Sequence, residues 1–301
     1  MEKFDIKKIL VPIDFSRTAM QALSQAVVIA KTVGATIKII HVAQEVYFPI
    51  EETAASENNS INKSILKRST QELKKMVKNI QSSETIRIDY EIQSGNIIDT
   101  VCSLAEKENF DLIVMGTHGT SGVKEFFAGS NSYKTVRHSI CPVLTIQQNS
   151  GVVNFKNIIL PIRLERTSRQ KVDYVVELAR LFNSTVIIVG FTENKEESKQ
   201  FKVKQYVAQV EKYLAKQSIT YKSKLIFSPD FVKEILKLAT KSSAGLIVTM
   251  KEHDFSMDQL IKGSYSEQFV NHSSIPVLSI PVFSDPDMVS YTPYLSGGVP
   301  Y

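Results

Sequence analysis

One stretch of the chain has residue types and spacing that could do chemistry. It reads Met115-Gly-Thr-His-Gly-Thr-Ser-Gly-Val-Lys-Glu-Phe-Phe-Ala-Gly-Ser-Asn-Ser132, a G-x2-G-x9-G-S pattern on Gly116, Gly119, Gly129 and Ser130. Glycines let backbone N–H groups approach an anion without side-chain interference. Gly129-Ser130-Asn131-Ser132 also opens a short helical pattern. A helix N-terminus offers free N–H donors and partial positive charge, which suit phosphate. The hydroxyls of Ser130 and Ser132 add donors. Asp14 ends the apolar run Ile9-Leu-Val-Pro-Ile-Asp14 and supplies an acid suited to ribose hydroxyls or an adenine amino group. Together these residues make a candidate nucleotide site. The plainer reading is a loop with turn glycines and a serine N-cap, because a single glycine-rich loop is a weak signal. On spacing alone both readings stand.

Short apolar runs at 8–13, 36–42, 86–92, 111–115 and 143–146 alternate with amphipathic stretches. That alternation means βαβ units and a mostly parallel sheet. The first helix is expected from Thr18 to Val33, with Met20, Leu23, Val27 and Ala30 as its apolar stripe and Gly34 as its stop. Further helices are expected over 61–80, 97–109 and 131–138. The residues 43–60 read as loop, and Gln147-Gln-Asn-Ser-Gly151 as a polar linker. Sheets of this kind bind ligands outside the carboxyl ends of their strands, at the switch point of strand order. In the order 3-2-1-4-5, strands one and four adjoin, so Asp14 and Gly116 would face one crevice.

The chain then repeats itself. Ile9–Asp14 matches Ile158-Ile-Leu-Pro-Ile-Arg163, and Leu112-Ile-Val matches Leu246-Ile-Val. Gly129-Ser130 matches Gly263-Ser264, and Cys141-Pro-Val-Leu-Thr-Ile matches Ile275-Pro-Val-Leu-Ser-Ile. The expected organisation is a first repeat over 1–148, a second over 152–281 and a C-terminal extension over 282–301. Each repeat would be a doubly wound α/β domain with a mostly parallel five-stranded sheet.

These residues resemble the universal stress protein family, in a tandem form. The resemblance rests on Ile9–Asp14, His41-Val42, the complete glycine motif of 116–130 and Arg137-His-Ser-Ile-Cys-Pro-Val-Leu144. It implies a flavodoxin-like, adenine nucleotide alpha hydrolase-like fold that binds ATP, with Mg2+, where the glycine motif is kept. Carried over by position, Pro12, Ile13, Asp14 and Val42 would contact adenosine. Met115, Gly116, Gly119, Gly129, Ser130, Asn131 and Ser132 would hold ribose and phosphates. The family commonly pairs through its last strand, so 143–146 is expected to pair with 277–280 inside one molecule. A homodimer of tandem chains is a further expectation.

The second copy departs from the pattern. Arg163 replaces Asp14, Met250 replaces Gly116 and His253 replaces Gly119. The acid is gone and side chains stand where phosphates need room. Repeat 2 is therefore expected not to bind ATP and to serve as a structural or regulatory partner, with Arg163 finding solvent or a local partner such as an acid of its own domain; the alternative is that Arg163 admits an anionic ligand.

Other function classes fall away. Hydrophobic residues make up 43% and charged residues 22%, which excludes global disorder. No run approaches the ~18 apolar residues of a membrane span. The N-terminus lacks the apolar core of a secretory signal, and two cysteines make no disulfide framework, so a cytoplasmic location is expected. The net charge of +5 is mild, and its lysines read as solvated helix faces rather than a nucleic-acid groove. There is no Walker-type phosphate loop, dinucleotide fingerprint or hydrolase elbow, and no metal-ligand spacing. Cys102 reads as core, and Cys141 as partly accessible at a strand entry. No catalytic residue is assigned. The leading expectation is an ATP-binding stress-response regulator, with an unidentified protein partner reading its state. The alternatives are a slow ATPase or self-phosphorylating protein, for which His118 and Lys124 are a thin set, and a scaffold that binds a lipid or protein.

Overall fold

The computed structural model describes residues 4–43, 54–117, 131–147, 155–193, 196–251 and 264–282. Repeat 1 runs β1 (Lys8–Pro12), α1 (Arg17–Val33), β2 (Thr36–Ala43), α2 (Ala54–Ser83), β3 (Ile88–Ser94), α3 (Ile97–Lys107), β4 (Leu112–Gly116), α4 (Asn131–His138) and β5 (Val143–Ile146). Repeat 2 runs β6 (Asn157–Ile162), α5 (Val172–Phe182), β7 (Thr185–Thr192), α6 (Glu197–Lys216), β8 (Tyr221–Phe227), α7 (Phe231–Lys241), β9 (Leu246–Met250), α8 (Tyr265–His272) and β10 (Val277–Ile280).

Each repeat forms the expected five-stranded parallel set. The two sets join into one ten-stranded sheet of order β3-β2-β1-β4-β5-β10-β9-β6-β7-β8. The join is the antiparallel pair β5–β10, with Leu144 opposite Leu278 and Thr145 opposite Val277. The last-strand pairing implied by the resemblance is thus made within one chain. It removes two edges that would otherwise present unpaired backbone groups.

Helix ends follow local chemistry. The Ser16 hydroxyl accepts from the Ala19 N–H at the start of α1, and Gly34 stops the helix at φ +75°, the left-handed region where a Cβ is costly. Asn96 caps α3 in the same way by accepting from Ile98 and Asp99. The buried face of α1 is Ala19, Ala22, Leu23, Ala26, Ile29 and Ala30. Met20, placed in the stripe by sequence, is instead 38% exposed. The small residues let α1 lie close on the sheet, which turns Met20 outward. Helix α2 starts at Ala54, inside the stretch read as loop. That stretch lacks apolar periodicity, but Ala54 and Ala55 are strong helix formers and a formed helix extends cheaply. Residues 44–53 lie outside the described residues, as do 283–301 of the C-terminal extension.

The core has three parts. On the α1 and α5 face one apolar cluster runs through both repeats, from Ile6 and Ile9 across Leu144 and Leu278 to Leu246 and Val210. On the other face each repeat has its own cluster. Val270 of α8 is the exception: it belongs to repeat 2 but packs, fully buried, in the repeat 1 cluster with Tyr133, Val136 and Val143. The two cysteines exchange their expected places. Cys141 is 8% exposed and Cys102 is half-buried. Ser139 explains the first, because its hydroxyl bonds the Cys141 N–H and carbonyl and folds the strand entry inward.

Candidate functional site

Strand β1 lies between β2 and β4, with Ile9 beside both Ile37 and Leu112. The chain leaves β1 toward β2 and later returns to β4, so the switch point lies between β1 and β4. Pro12 ends β1 and is buried. Ile13 follows, 3% exposed, with its N–H on the Ile40 carbonyl at 2.8 Å. Asp14 is half-buried, and its Oδ1 accepts from the Ser16 N–H at 2.9 Å. That tight turn holds Phe15 at φ +61°. A bulky residue in the left-handed region is strained, and such strain persists only where surroundings enforce it.

The enforcement is visible. The Phe15 ring lies 4.8 Å from the His41 ring. His41 Nδ1 is 2.7 Å from the Ile13 carbonyl and Nε2 is 3.2 Å from the Ser69 hydroxyl. A carbonyl only accepts, so His41 Nδ1 donates to Ile13, while Nε2 shares a hydrogen bond with the Ser69 hydroxyl. The imidazole thereby ties the end of β1 to α2. Val42, next to it on β2, is half-buried.

Met115 is buried in β4, and Gly116 is its last residue. A Cβ on Gly116 would stand 2.7 Å from the Thr18 carbonyl carbon and 2.9 Å from its oxygen. Close packing of β4 against the first turn of α1 therefore demands glycine there. Asn131 begins α4 and is exposed. Ser132 is 1% exposed, and its hydroxyl donates to the Thr117 carbonyl at 3.3 Å. So Pro12, Ile13, Asp14, Val42, Met115 and Gly116 come together at the carboxyl ends of three adjacent strands. Ser132 joins them through Thr117, with Asn131 before it in the chain. Gly119, Gly129 and Ser130 lie outside the described residues, as do His118 and Lys124.

The same positions in repeat 2 are built differently. Arg163 stands where Asp14 does, Phe191 where Val42 does, Phe231 where Ile97 does, and Tyr265 where Asn131 does. The Arg163 guanidinium sits 4.1 Å from the Tyr265 ring centre and 5.1 Å from that of Phe231. Phe231 contacts Phe191 at 4.7 Å and Tyr265 at 5.0 Å. Arg163 also pairs with Glu165 at 2.8 Å. The strand-end arginine has thus found local partners, and the crevice is packed with this repeat's own side chains. Leu164, the counterpart of Phe15, lacks the positive φ. Ser168 closes the turn instead, bonding both the N–H and the carbonyl of Arg163. Gly190 replaces His41, and α6 fills the gap: a Cβ there would meet Val207 at 2.6 Å. Ser264, kept from the motif, is fully buried and caps α8 by accepting from the Glu267 N–H. His253 and Gly263 lie outside the described residues.

The family model of the universal stress protein family matches this chain twice, over residues 5–147 and 154–281. The chain belongs to the universal stress protein family. Its tandem arrangement follows from the double match. A universal stress protein of Methanocaldococcus jannaschii is 31% identical over 142 residues, covering 47% of this chain and 82% of that one. Another from Bacillus subtilis is 32% identical over 151 residues, covering 46% of this chain and 98% of that one. Each curated relative thus spans about one repeat. A solved universal stress protein of Archaeoglobus fulgidus aligns over 94% of this chain and 99% of its own at a TM-score of 0.71, with 19% identity. That likeness is one of fold. Among the described residues no helix is long and apolar enough to cross a membrane.

Sequence reasoning missed several residues around the site. Phe15, Ser69, Thr117 and Gln147 carry no motif. The one signal for Gln147 is a polar residue directly after an apolar strand, which by sequence opens a polar linker. It is in fact 8% exposed.

Proposed function

We propose that this universal stress protein binds one ATP per chain, with Mg2+, in repeat 1, and acts as a stress-response regulator rather than a catalyst. The observation that carries the reading is the contrast between the two switch points. Repeat 1 keeps an acid, a small Val42 and a glycine at its strand ends, while repeat 2 packs an arginine and three aromatic rings into the same positions. In repeat 1, Asp14 would take a ribose hydroxyl or the adenine amino group as a hydrogen-bond acceptor. Pro12, Ile13 and Val42 would line the base. The segment from Gly116 to Ser132 would hold ribose and phosphates by backbone N–H groups and hydroxyls, with Gly119, Gly129 and Ser130 in it.

Regulation is favoured over turnover because His118 and Lys124 are a thin set of loop candidates for a base and a cation at the γ-phosphate. Fast phosphoryl transfer needs both positioning and charge neutralisation there. The chain belongs by this reading to the cytoplasm, with a protein partner that senses its nucleotide state. A homodimer of tandem chains is part of the proposal, and it must use another surface, since the last strands pair within the chain. Native mass spectrometry with magnesium and ATP tests the reading, alongside a phosphate-release assay. The expected result is one nucleotide per chain and no phosphate release. Steady phosphate release or a phosphorylated chain would favour the slow ATPase. No bound nucleotide would favour a scaffold for a lipid or protein.

A further inference from the structure

Repeat 2 has lost its motif yet keeps its fold, and one helix of it is fastened at both ends to repeat 1. At the N-terminus of α8, the Ser264 hydroxyl lies 3.1 Å from the Tyr133 hydroxyl. At its C-terminus, the Val270 carbonyl accepts from Gln147 Nε2. Helix carbonyls in the last turn run out of partners within the helix, so a side chain from outside can cap them. A carbonyl only accepts, which turns the Gln147 amide nitrogen toward Val270 and its oxygen the other way. That oxygen accepts from Thr117 Oγ1 at 2.7 Å. Thr117 directly follows Gly116, and its carbonyl accepts from Ser132 beside Tyr133. Four hydrogen bonds, the length of α8 and the Ser132–Tyr133 peptide link therefore close a circuit: Thr117, Gln147, Val270, along α8 to Ser264, Tyr133, Ser132 and back to Thr117. Thr117 and Ser132 stand near the two ends of residues 118–130 in the sequence.

The link is reciprocal but made by different groups. In repeat 2 the counterpart of Gln147 is Pro281, which has neither side-chain amide nor N–H, and that of Thr117 is Lys251. Lys251 reaches the other way, donating to the Ser139 carbonyl of repeat 1 at 3.2 Å. What is particular to repeat 1 is that its link also bonds Thr117, the residue after Gly116.

We infer that Gln147 is a positioning residue: through it, repeat 2 holds Thr117 and Ser132, which flank the phosphate-binding residues proposed above. The inference rests on the proposed ATP site. It explains why a repeat with a filled crevice is retained, since the site of repeat 1 is framed by α8. The test measures affinity for ATP and for adenosine in the full chain, with Gln147→Met, Thr117→Val and Thr117→Ser. Adenosine lacks the phosphates, so a role at the segment separates the two ligands where a merely structural role would not. Gln147→Met and Thr117→Val should each weaken ATP binding about tenfold, the scale of one lost buried hydrogen bond, and leave adenosine unchanged. Thr117→Ser keeps the hydroxyl and should bind ATP as wild type does. The Gln147→Met, Thr117→Val double variant should be no weaker than either single one. Equal weakening of both ligands, or no change in ATP, would overturn the positioning role. Should Gln147→Met fail to fold, the Thr117 pair alone decides. A wild-type chain that binds neither ligand would overturn the ATP site itself.

Discussion

Gly116 and Met250 end equivalent strands and meet different first turns. Beside Gly116 lies Thr18, in an α1 that is helical from Arg17 onward. Beside Met250 the counterpart of that turn has separated into a short 3-10 turn, Arg166–Arg169, and α5 begins only at Val172. Met250 is 7% exposed and joins the shared core. One substitution therefore travels with a change in helix start. Gly116→Ala should force the α1 turn to shift and cost about 1–3 kcal/mol, the scale of overpacking. Urea denaturation of the full chain checks it, and an unchanged midpoint would show that the turn yields freely.

The crevice of repeat 2 is held by its own residues, which predicts a stability effect there. Arg163→Ala removes a guanidinium stacked on two rings, worth about 1–2 kcal/mol when partly desolvated. Its pair with Glu165 is exposed on the acid side and adds little. Phe231→Ala should cost more, about 3–5 kcal/mol, because Phe231 is 3% exposed and touches Phe191, Tyr265 and Phe269. Thermal unfolding that ranks the two variants the other way would contradict the packing described.

The inter-repeat face should respond to pH through Glu267. Burial raises its carboxyl above the ordinary 4.5, while the Ser264 N–H, the Tyr133 hydroxyl and the Arg137 charge pull it down. A raised folded-state value means that the folded chain binds the proton more tightly. The stabilisation is complete below the unfolded value and is lost as pH rises through the folded value. Glu267→Gln should therefore melt higher than wild type near neutrality, with the gap closing toward acid. Melting temperatures measured across that range check the sign. A variant that melts lower at neutral pH would show that the Arg137 attraction wins.

Neither cysteine should behave as an activated thiol. Burial pushes Cys102 up to about 11, and burial likewise pushes Cys141 up to about 11, from an ordinary 9.0. The thiolate fraction at neutral pH then falls about a hundredfold, and alkylation follows the thiolate. Iodoacetamide should label the folded chain about a hundredfold more slowly than the unfolded one. Labelling at equal rates would contradict the burial of both groups.

Much of the fold was legible because its periodicities are strong. Runs such as Ile9–Ile13 and Val143–Ile146 are apolar and β-branched, and Gly34 marks a helix end by its own chemistry. The start of α2 was hidden because Ala54 and Ala55 add propensity without an apolar stripe. Asp14, Val42 and Gly116 could be placed at one switch point because the sheet order follows from the βαβ alternation. The filled crevice of repeat 2 was half-legible. Arg163 stood out against Asp14, but Phe191, Phe231 and Tyr265 lie far apart in sequence and meet only through the strand order. Gln147 was misread because burial of a polar side chain depends on a partner in the other repeat, here the Val270 carbonyl.

The most direct test of a single nucleotide site in repeat 1 is calorimetric titration of magnesium and ATP into wild type, Asp14→Ala and Arg163→Ala. One site per chain is predicted in wild type, weakened by Asp14→Ala and kept in Arg163→Ala. Two sites in wild type, or loss of binding with Arg163→Ala rather than Asp14→Ala, would contradict the account.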